Sequence, residues 1–339
     1  MTTTAVALRE RPVASATAPQ ALLWASAVAL ACFLIAGVSE AALIRLLRPT
    51  ELELDWISDG MLSIALGVAI YLWQHLRATR LALTEHERSE LVLQAQLSLA
   101  EDMQRRLLPP VPDRTAGLEW AALLVSAGRV GGDFFDFVEP APGVRLMLIA
   151  DVSGKGIPAA MALTLLRATF RSVARHTDRP AAIAGRMAAA LHDEWHGDPY
   201  VTAVIVRVDL AARLVTYTNA GHPGGILCRA RSQRALSDGG PPLGLLKDVR
   251  FVETTLDLAA GDVWVFVTDG VSEALGGLDR CWQDAIVDAT LETRGGGAES
   301  VCRTILTQAQ HGRGPAGVEN WNDDRTVVVL SVGNEVDRR

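Results

Sequence analysis

Cysteine is scarce in this chain, and no two cysteines are close together in sequence. The 339 residues include four, at positions 32, 228, 281 and 302, and none of them belongs to a CxxC motif. Such spacing indicates neither a zinc site nor a disulfide framework. We interpret these cysteines as structural or incidental residues.

Positive charge is also in short supply. The sequence has 32 lysines and arginines against 39 aspartates and glutamates, which gives a formal net charge of −7. This balance argues against a nucleic-acid-binding surface and leaves metal binding by carboxylates open. Because 49% of the residues are apolar, the chain can bury a substantial core and is not expected to be disordered.

Two N-terminal runs contain no aspartate, glutamate, lysine or arginine. Residues 21–39 and 60–76 are each close to the roughly 20 residues that cross a bilayer core. We therefore predict two transmembrane helices within residues 21–76, after an N-terminal tail of residues 1–20. A cleaved signal peptide followed by a buried helix is the alternative, but the second run comes too soon for a mature secreted domain.

Arginines lie outside both predicted spans. Arg9 and Arg11 precede the first run, and Arg77 and Arg80 follow the second. This distribution favours both termini in the cytoplasm, although two arginines in the short connection weaken the argument. The expected location is the inner or plasma membrane, as a multi-pass protein whose C-terminal domain is cytoplasmic.

A long helix is predicted to connect the spans to the rest of the chain. Residues 77–108 are rich in Leu, Glu, Gln, Arg and Ala, and prolines from position 109 onward end the pattern. Five residues of this helix recur at alternating spacings of four and three positions, which places them in one mostly apolar stripe along the helix: Leu93, Leu97, Ala100, Gln104 and Leu107. This stripe could form a coiled coil between two copies of the chain, or pack on the chain's own C-terminal domain.

Aspartates recur beside apolar, strand-like runs in the C-terminal part. Asp133 follows two glycines, Asp151 ends the run 145–150, Asp269 ends the run 263–268, and Asp323 and Asp324 precede the run 326–332. Gathered at one sheet edge, these carboxylates would repel each other unless divalent cations were bound. Oxygen ligands without accompanying histidine or cysteine favour magnesium or manganese over zinc.

A phosphate-binding loop is not indicated by Gly154-Lys155-Gly156. The P-loop pattern needs a glycine four residues before its Gly-Lys pair and a serine or threonine after it, and both are missing.

Taken together, these motifs resemble the PPM (protein phosphatase 2C-like) family, and specifically its bacterial SpoIIE-like branch in sigma-factor regulation. The resemblance covers about residues 95–332 in order and spacing. The matching segments are Met103–Pro109, Val130-Gly131-Gly132-Asp133, Asp151-Val152-Ser153-Gly154-Lys155-Gly156, Asn219-Ala220-Gly221-His222, Pro242-Leu243-Gly244, Thr268-Asp269-Gly270 and Asp323-Asp324-Arg325-Thr326.

The resemblance implies a fold and a metal site. The fold is α+β, a four-layer α/β/β/α sandwich over residues 109–335, preceded by the two transmembrane helices and the connecting helix. By resemblance, Asp133, Asp151 and the Val152 carbonyl hold one divalent ion, Mn²⁺ or Mg²⁺. Asp151, Asp269 and Asp323 hold the second, so that Asp151 bridges the two ions.

Other residues have less settled roles. Asp324 could replace Asp323 as a ligand, because pattern alone does not separate adjacent carboxylates, and Asp136 is a possible outer-shell residue. His222 could act as a general acid, but its Asn-Ala-Gly-His-Pro setting favours a structural turn. Arg129 is interpreted as a solvated surface arginine, and Lys155 as a loop residue.

The activity implied by the resemblance is metal-dependent hydrolysis of phosphoserine or phosphothreonine in proteins. The implied partner is a phosphorylated STAS-domain anti-sigma-factor antagonist, and the connecting helix suggests a homodimer. Two alternatives remain: a catalytically idle scaffold of the same fold, or a metal-dependent phosphatase of another substrate.

Overall fold

A computed structural model describes most of the chain beyond residue 54. It covers residues 55–333 except 113, 115–116, 129, 155, 230–231, 277–280, 294–295 and 312–322, and before them only four single residues between 28 and 35. The N-terminal tail therefore lies outside the described residues, and so does the first predicted span apart from those four residues. The chain divides into two units, Met1–Leu93 and Gln94–Arg339.

One continuous helix, α1 (Asp55–Leu107), contains the predicted connecting helix. It also contains the predicted second span, residues 60–76. In the part of the chain that the structure describes, no helix is long and apolar enough to cross a membrane. Gln74 and His75 interrupt the apolar run near its end, so the structure does not support the prediction of a second span.

Two β-sheets form the middle of the Gln94–Arg339 unit. The β11 sheet has the strand order β1-β11-β10-β6-β7, with β1 (Leu118–Val125), β6 (Gly225–Arg229), β7 (Ser232–Leu236), β10 (Val263–Val267) and β11 (Arg325–Val332). The β3 sheet has the order β2-β3-β4-β5-β8, with β2 (Asp133–Ala141), β3 (Val144–Val152), β4 (Val201–Asp209), β5 (Leu214–Ala220) and β8 (Gly239–Gly240). A further strand, β9 (Thr254–Asp257), pairs with β5.

Helices cover the outer face of each sheet. On the β3 sheet lie α2 (Ile157–Ala174) and α3 (Pro180–Trp195), and both have proline in their first turn, where no backbone N–H is needed. On the β11 sheet lie α4 (Asp269–Leu275), α5 (Trp282–Glu292) and α6 (Gly297–His311). The predicted α/β/β/α sandwich is confirmed.

Three apolar cores hold the four layers together. Side chains that alternate along a strand point into different cores. On β3, Leu146 and Leu148 face the helices, whereas Met147 and Ile149 face the other sheet. Since successive strand side chains point to opposite faces, Asp151 lies on the inter-sheet face, in line with Met147 and Ile149.

Most predicted elements are present, with some changes of boundary. The predicted strand-like runs 145–150, 263–268 and 326–332 fall on β3, β10 and β11, whereas α4 and α5 were not predicted. The unit Gln94–Arg339 includes the last turns of α1, and the predicted domain boundary near residue 109 stays a prediction. Ala100 and Gln104 of the predicted stripe are buried there, while Leu93 is exposed.

Candidate metal centre

Both sheets end at one edge of the sandwich, and the predicted carboxylates lie at that edge. Asp133 begins β2 and pairs directly with Asp151 near the end of β3. Asp269 starts α4 just after β10, and Asp323 lies just before β11. The fold thus brings together residues that are up to 190 positions apart in sequence.

Asp133 is 1% exposed and is tied to the opposite sheet. Its Oδ2 atom accepts hydrogen bonds from the hydroxyls of Thr268 and Thr326, each 2.7 Å long. The Thr326 amide in turn donates to the Thr268 hydroxyl at 3.0 Å. Both threonines continue the inter-sheet faces of β10 and β11, so the two sheets are joined at this edge through one carboxylate.

Burial raises the pKa of Asp133 well above its ordinary value. The neighbouring charge of Asp151 raises it further, while the hydroxyl bonds from Thr326 and Thr268 act in the opposite direction. A buried carboxylate beside a second carboxylate is an arrangement that a nearby cation would stabilise in its charged form.

Asp324 fixes the glycine turn that precedes Asp133. Its Oδ2 accepts the Gly132 amide at 2.7 Å, and its Oδ1 accepts the Ala127 amide at 2.8 Å. A Cβ at Gly131 would overlap this carboxylate, and a Cβ at Gly132 would lie 2.6 Å from the Val152 carbonyl oxygen. Asp324 is therefore committed to backbone amides, which favours Asp323 as the ligand of the adjacent pair.

Asp323 is half-buried and lies close to Asp269. A Cβ on Gly270 would be 3.3 Å from the Asp323 Cβ. A third carboxylate, Glu273, sits one helical turn after Asp269, and its pKa is raised by burial and by the charges of Asp269 and Asp323. Sequence reasoning missed Glu273, although its spacing of four from Asp269 on a helix was a usable signal.

The carboxylates form neighbouring pairs and not a closed cluster. Within the described ranges, no group of three or more aspartate, glutamate, histidine or cysteine side chains is arranged to hold one ion. The donors of the two pairs, Asp133 with Asp151 and Asp269 with Asp323, are all hard oxygens, the type that Mg²⁺ and Mn²⁺ prefer. The Val152 carbonyl lies beside Gly132, close to the first pair. The carboxylate and carbonyl oxygens of these residues are therefore suitable donors for the predicted Mg²⁺ or Mn²⁺ ions.

The connecting helix reaches this site through Gln104, which is 6% exposed. Its side-chain amide donates to the Gly131 carbonyl and its Oε1 accepts the Gly131 amide, both at 3.1 Å. Gly131 belongs to the turn that positions Asp133. Sequence reasoning treated Gln104 only as an interruption of an apolar stripe.

Asp136 does not belong to the site, and the prediction of an outer-shell role is wrong. It lies an odd number of residues from Asp133 on the same strand, so its side chain points to the helix-covered face. There it is fully buried and forms two 2.7 Å bonds with Arg171 of α2. Its role is to join β2 to α2.

His222 is buried under the edge beside β4. Its Nδ1 lies 2.9 Å from the Thr202 hydroxyl, and Thr202 is the register partner of Asp151. The backbone of His222 exchanges two hydrogen bonds with the Asn219 side chain. Burial lowers the pKa of His222 to about 3, so the ring is neutral at physiological pH. This geometry favours the structural interpretation over a general acid.

Arg129 and Lys155 lie outside the described residues, so their interpretations stay predictions.

Known structures identify the class of the fold. The SiaA-PP2C domain of Pseudomonas aeruginosa is 22% identical with a TM-score of 0.59, and the match covers 72% of this chain and 98% of that chain. The PP2C phosphatase domain of SpoIIE from Bacillus subtilis is 16% identical with a TM-score of 0.56, over 64% of each chain. The fold is that of the PP2C-like phosphatases.

The particular family follows from the sequence match. The family model described as Stage II sporulation protein E (SpoIIE) matches residues 142–333, more than half of the chain. The chain therefore belongs to the SpoIIE family.

Two curated relatives from Bacillus subtilis (strain 168) share part of this sequence. The phosphoserine phosphatase RsbU is 25% identical over 183 residues, which is 53% of this chain and 54% of RsbU. The phosphoserine phosphatase RsbP is 25% identical over 185 residues, which is 52% of this chain and 45% of RsbP. The matches thus span about half the length of these relatives.

Proposed function

We propose that this chain is a metal-dependent protein serine/threonine phosphatase. The observation that carries the proposal is the pairing of the buried Asp133 on β2 with the half-buried Asp151 on β3, at the edge where Asp269 and Asp323 also lie. Membership of the SpoIIE family supports the proposal, as does the phosphoserine phosphatase activity named for RsbU and RsbP.

Each ligand has an assigned place in this proposal. Asp133, Asp151 and the Val152 carbonyl would hold one divalent ion, and Asp151, Asp269 and Asp323 the other. Two Mn²⁺ or Mg²⁺ ions bound there would supply Lewis acidity, which neutralises phosphate charge and lowers the pKa of an attacking water.

The chain's own groups keep the ligands in place. The Thr268 and Thr326 hydroxyls fix the Asp133 carboxylate, and Asp324 fixes the turn before it. A water nucleophile makes a protein nucleophile unnecessary. His222 is not in the imidazolium form that acts as a general acid at neutral pH, since burial lowers the pKa of its ring to about 3.

Phosphate release tests the proposal directly. The full chain should release phosphate from a serine-phosphorylated protein and from p-nitrophenyl phosphate in Mn²⁺, and Asp151→Asn should reduce both rates by at least about a hundredfold. Asp284→Asn, an exposed carboxylate on α5, is the matched control and should keep full activity. A folded wild-type chain that is inactive on both substrates with Mn²⁺ and with Mg²⁺ would favour the idle-scaffold alternative.

The proposed physiological substrate is a phosphorylated STAS-domain anti-sigma-factor antagonist. Support comes from the family and from a structural relative that holds RsbU and RsbW domains, Rv1364c of Mycobacterium tuberculosis, which is 24% identical with a TM-score of 0.56 over 67% of this chain and 62% of that chain. The test compares kcat/KM on a phosphoserine STAS-domain protein with that on an unrelated phosphoserine protein. Equal values would contradict this partner and leave the phosphatase activity in place.

Membrane location and dimerisation stay predictions from the sequence. A membrane attachment rests on the apolar run 21–39, and a homodimer rests on the stripe within residues 77–108. Alkaline extraction of membranes from cells that express the full chain tests the first. Analytical ultracentrifugation of the detergent-solubilised chain tests the second.

A further inference from the structure

Three large apolar side chains are exposed on the two segments that meet at the start of β4, where Val201 pairs with Val152. Tyr200 is 39% exposed, Leu245 is 38% exposed and Leu246 is 53% exposed. We call these three residues the rim patch. Isolated apolar residues on a surface are ordinary, but a group of them next to a candidate catalytic site calls for an explanation.

Tyr200 is attached to the loop that carries the candidate ligands. The Ser153 amide donates to the Tyr200 carbonyl, and the Tyr200 amide donates to the Ser153 hydroxyl, both at 2.9 Å. Ser153 follows Val152 and is two residues from Asp151. The position of Tyr200 is therefore fixed relative to the candidate metal site.

The segment with Leu245 and Leu246 is held to the same edge. Leu243 and Val201 exchange backbone hydrogen bonds of 2.9 and 2.7 Å at the start of β4. The Gly244 carbonyl is 3.0 Å from the His192 Nδ1, and Lys247 forms an ion pair with Asp193. These bonds order the segment in advance, so binding through it costs little conformational entropy.

We propose that the rim patch is a docking surface for the folded phosphoprotein substrate, and that it binds apolar side chains adjacent to the phosphoserine. This inference rests on the proposed function: a phosphoprotein whose phosphate reaches the candidate metal site brings its own surface against the segments beside that site, and Tyr200 is bonded to the loop after Asp151. An apolar contact also suits a chain with a net charge of −7, since it adds no carboxylates near a site already rich in them.

The matched control lies in the same loop, at the other end of α3. Val252 is 60% exposed, and its neighbour Glu253 accepts the Ala181 amide at the start of that helix. The 16-residue helix is about 24 Å long at 1.5 Å per residue. Val252 is thus equally apolar and exposed, but it lies beside the start of α3, whereas Leu245 lies beside the end of that helix.

The experiment measures steady-state kinetics of the full chain on three substrates. They are a serine-phosphorylated STAS-domain protein, a short peptide with the same phosphoserine, and p-nitrophenyl phosphate. Leu246→Ser should raise KM for the folded protein about tenfold, as expected for the loss of one buried leucine contact. It should leave kcat, and both constants for p-nitrophenyl phosphate, unchanged, and Val252→Ser should change nothing.

Three outcomes would overturn the docking surface: an equal loss on all substrates, no change on any, or a wild-type preference for the peptide over the folded protein. Failure of the proposed function looks different, because the wild type would then show no metal-dependent hydrolysis of p-nitrophenyl phosphate. Leu245→Ser, with the same three substrates, repeats the test if Leu246→Ser does not fold.

Discussion

At the scale of single residues, Asp133 links the chemistry of the site to the stability of the fold. Burial and the charge of Asp151 raise its pKa well above 3.8. The folded chain then binds this proton more tightly than the unfolded chain, so stability falls as pH rises from about 3.8 through the raised pKa.

Removing this charge should therefore stabilise the metal-free protein. In EDTA, Asp133→Asn should have a higher Tm than the wild type at pH 7, and the difference should shrink as the pH is lowered toward 4. The asparagine Oδ1 atom can still accept the two threonine hydroxyls. Calorimetry across this pH range measures the effect, and a lower Tm for the variant at pH 7 would contradict the assigned electrostatics.

The contribution of His222 to folding stability should have the opposite pH dependence. Its folded pKa of about 3 lies below the ordinary value of 6.5, so the unfolded chain takes up a proton first as the pH falls. Its contribution to stability is complete above pH 6.5 and is lost by at most about 1.4 kcal/mol per pH unit below it.

Urea unfolding of the wild type and of His222→Asn at pH 7 and pH 5 tests this effect. The variant should be less stable at pH 7, because a buried bond to Thr202 is altered. Its stability should nevertheless fall less than that of the wild type between the two pH values. An identical fall in both proteins would rule out the neutral buried imidazole.

Sequence reasoning predicted which carboxylates lie at one sheet edge more reliably than which face each side chain points to. Asp133, Asp151, Asp269 and Asp323 were identifiable because each borders an apolar strand, and strand ends meet at a sheet edge. Asp136 was misassigned, although its odd spacing from Asp133 on a strand was sufficient to place it on the other face. Asp323 and Asp324 became separable only when the amides bound to Asp324 were known.

At the scale of elements, the end of α1 and the glycine turn are joined by one side chain. Gln104 satisfies both backbone polar groups of Gly131 in a buried position. We propose that a change in α1 reaches the metal site through this contact, because Gly131 belongs to the turn that positions Asp133. Sequence spacing gave no sign of this contact, which spans 27 residues.

Gln104→Leu should weaken metal binding without changing the ligands. The buried groups of Gly131 would lose their partners, at a cost of about 1–3 kcal/mol. The Mn²⁺ concentration for half-maximal hydrolysis of p-nitrophenyl phosphate should rise at least about fivefold. Gln96→Ala, an exposed glutamine on the same helix, is the control. An unchanged Mn²⁺ requirement in Gln104→Leu would refute the coupling.

Element boundaries were predictable where sequence periodicity is strong. The strands β3 and β11 were expected from the apolar runs 145–150 and 326–332. The short helix α4 was not, because its 7 residues follow β10 almost directly and contain no full amphipathic repeat. The sequence left open whether the stripe on α1 forms a coiled coil between two copies or packs on the chain's own C-terminal domain. Burial of Ala100 and Gln104 shows that this portion of the stripe packs on its own domain.

At the scale of the whole molecule, the sandwich concentrates its carboxylates at one edge and joins its two sheets there. The Asp133 contacts with Thr268 and Thr326 cross from one sheet to the other, and so does the Asp324 contact with Gly132. Loss of bound metal should therefore affect the packing of both sheets and not only one loop. This architecture was predictable as a fold class, but the cross-sheet bonds depend on side-chain positions that only the structure supplies.

The central claim is that the edge carboxylates hold two divalent ions, and calorimetric titration with Mn²⁺ tests it most directly. The full wild-type chain should bind two ions, Asp284→Asn should bind the same number, and Asp151→Asn should lose affinity at both sites because it removes the shared ligand. Unchanged Mn²⁺ binding by a folded Asp151→Asn variant would contradict the account.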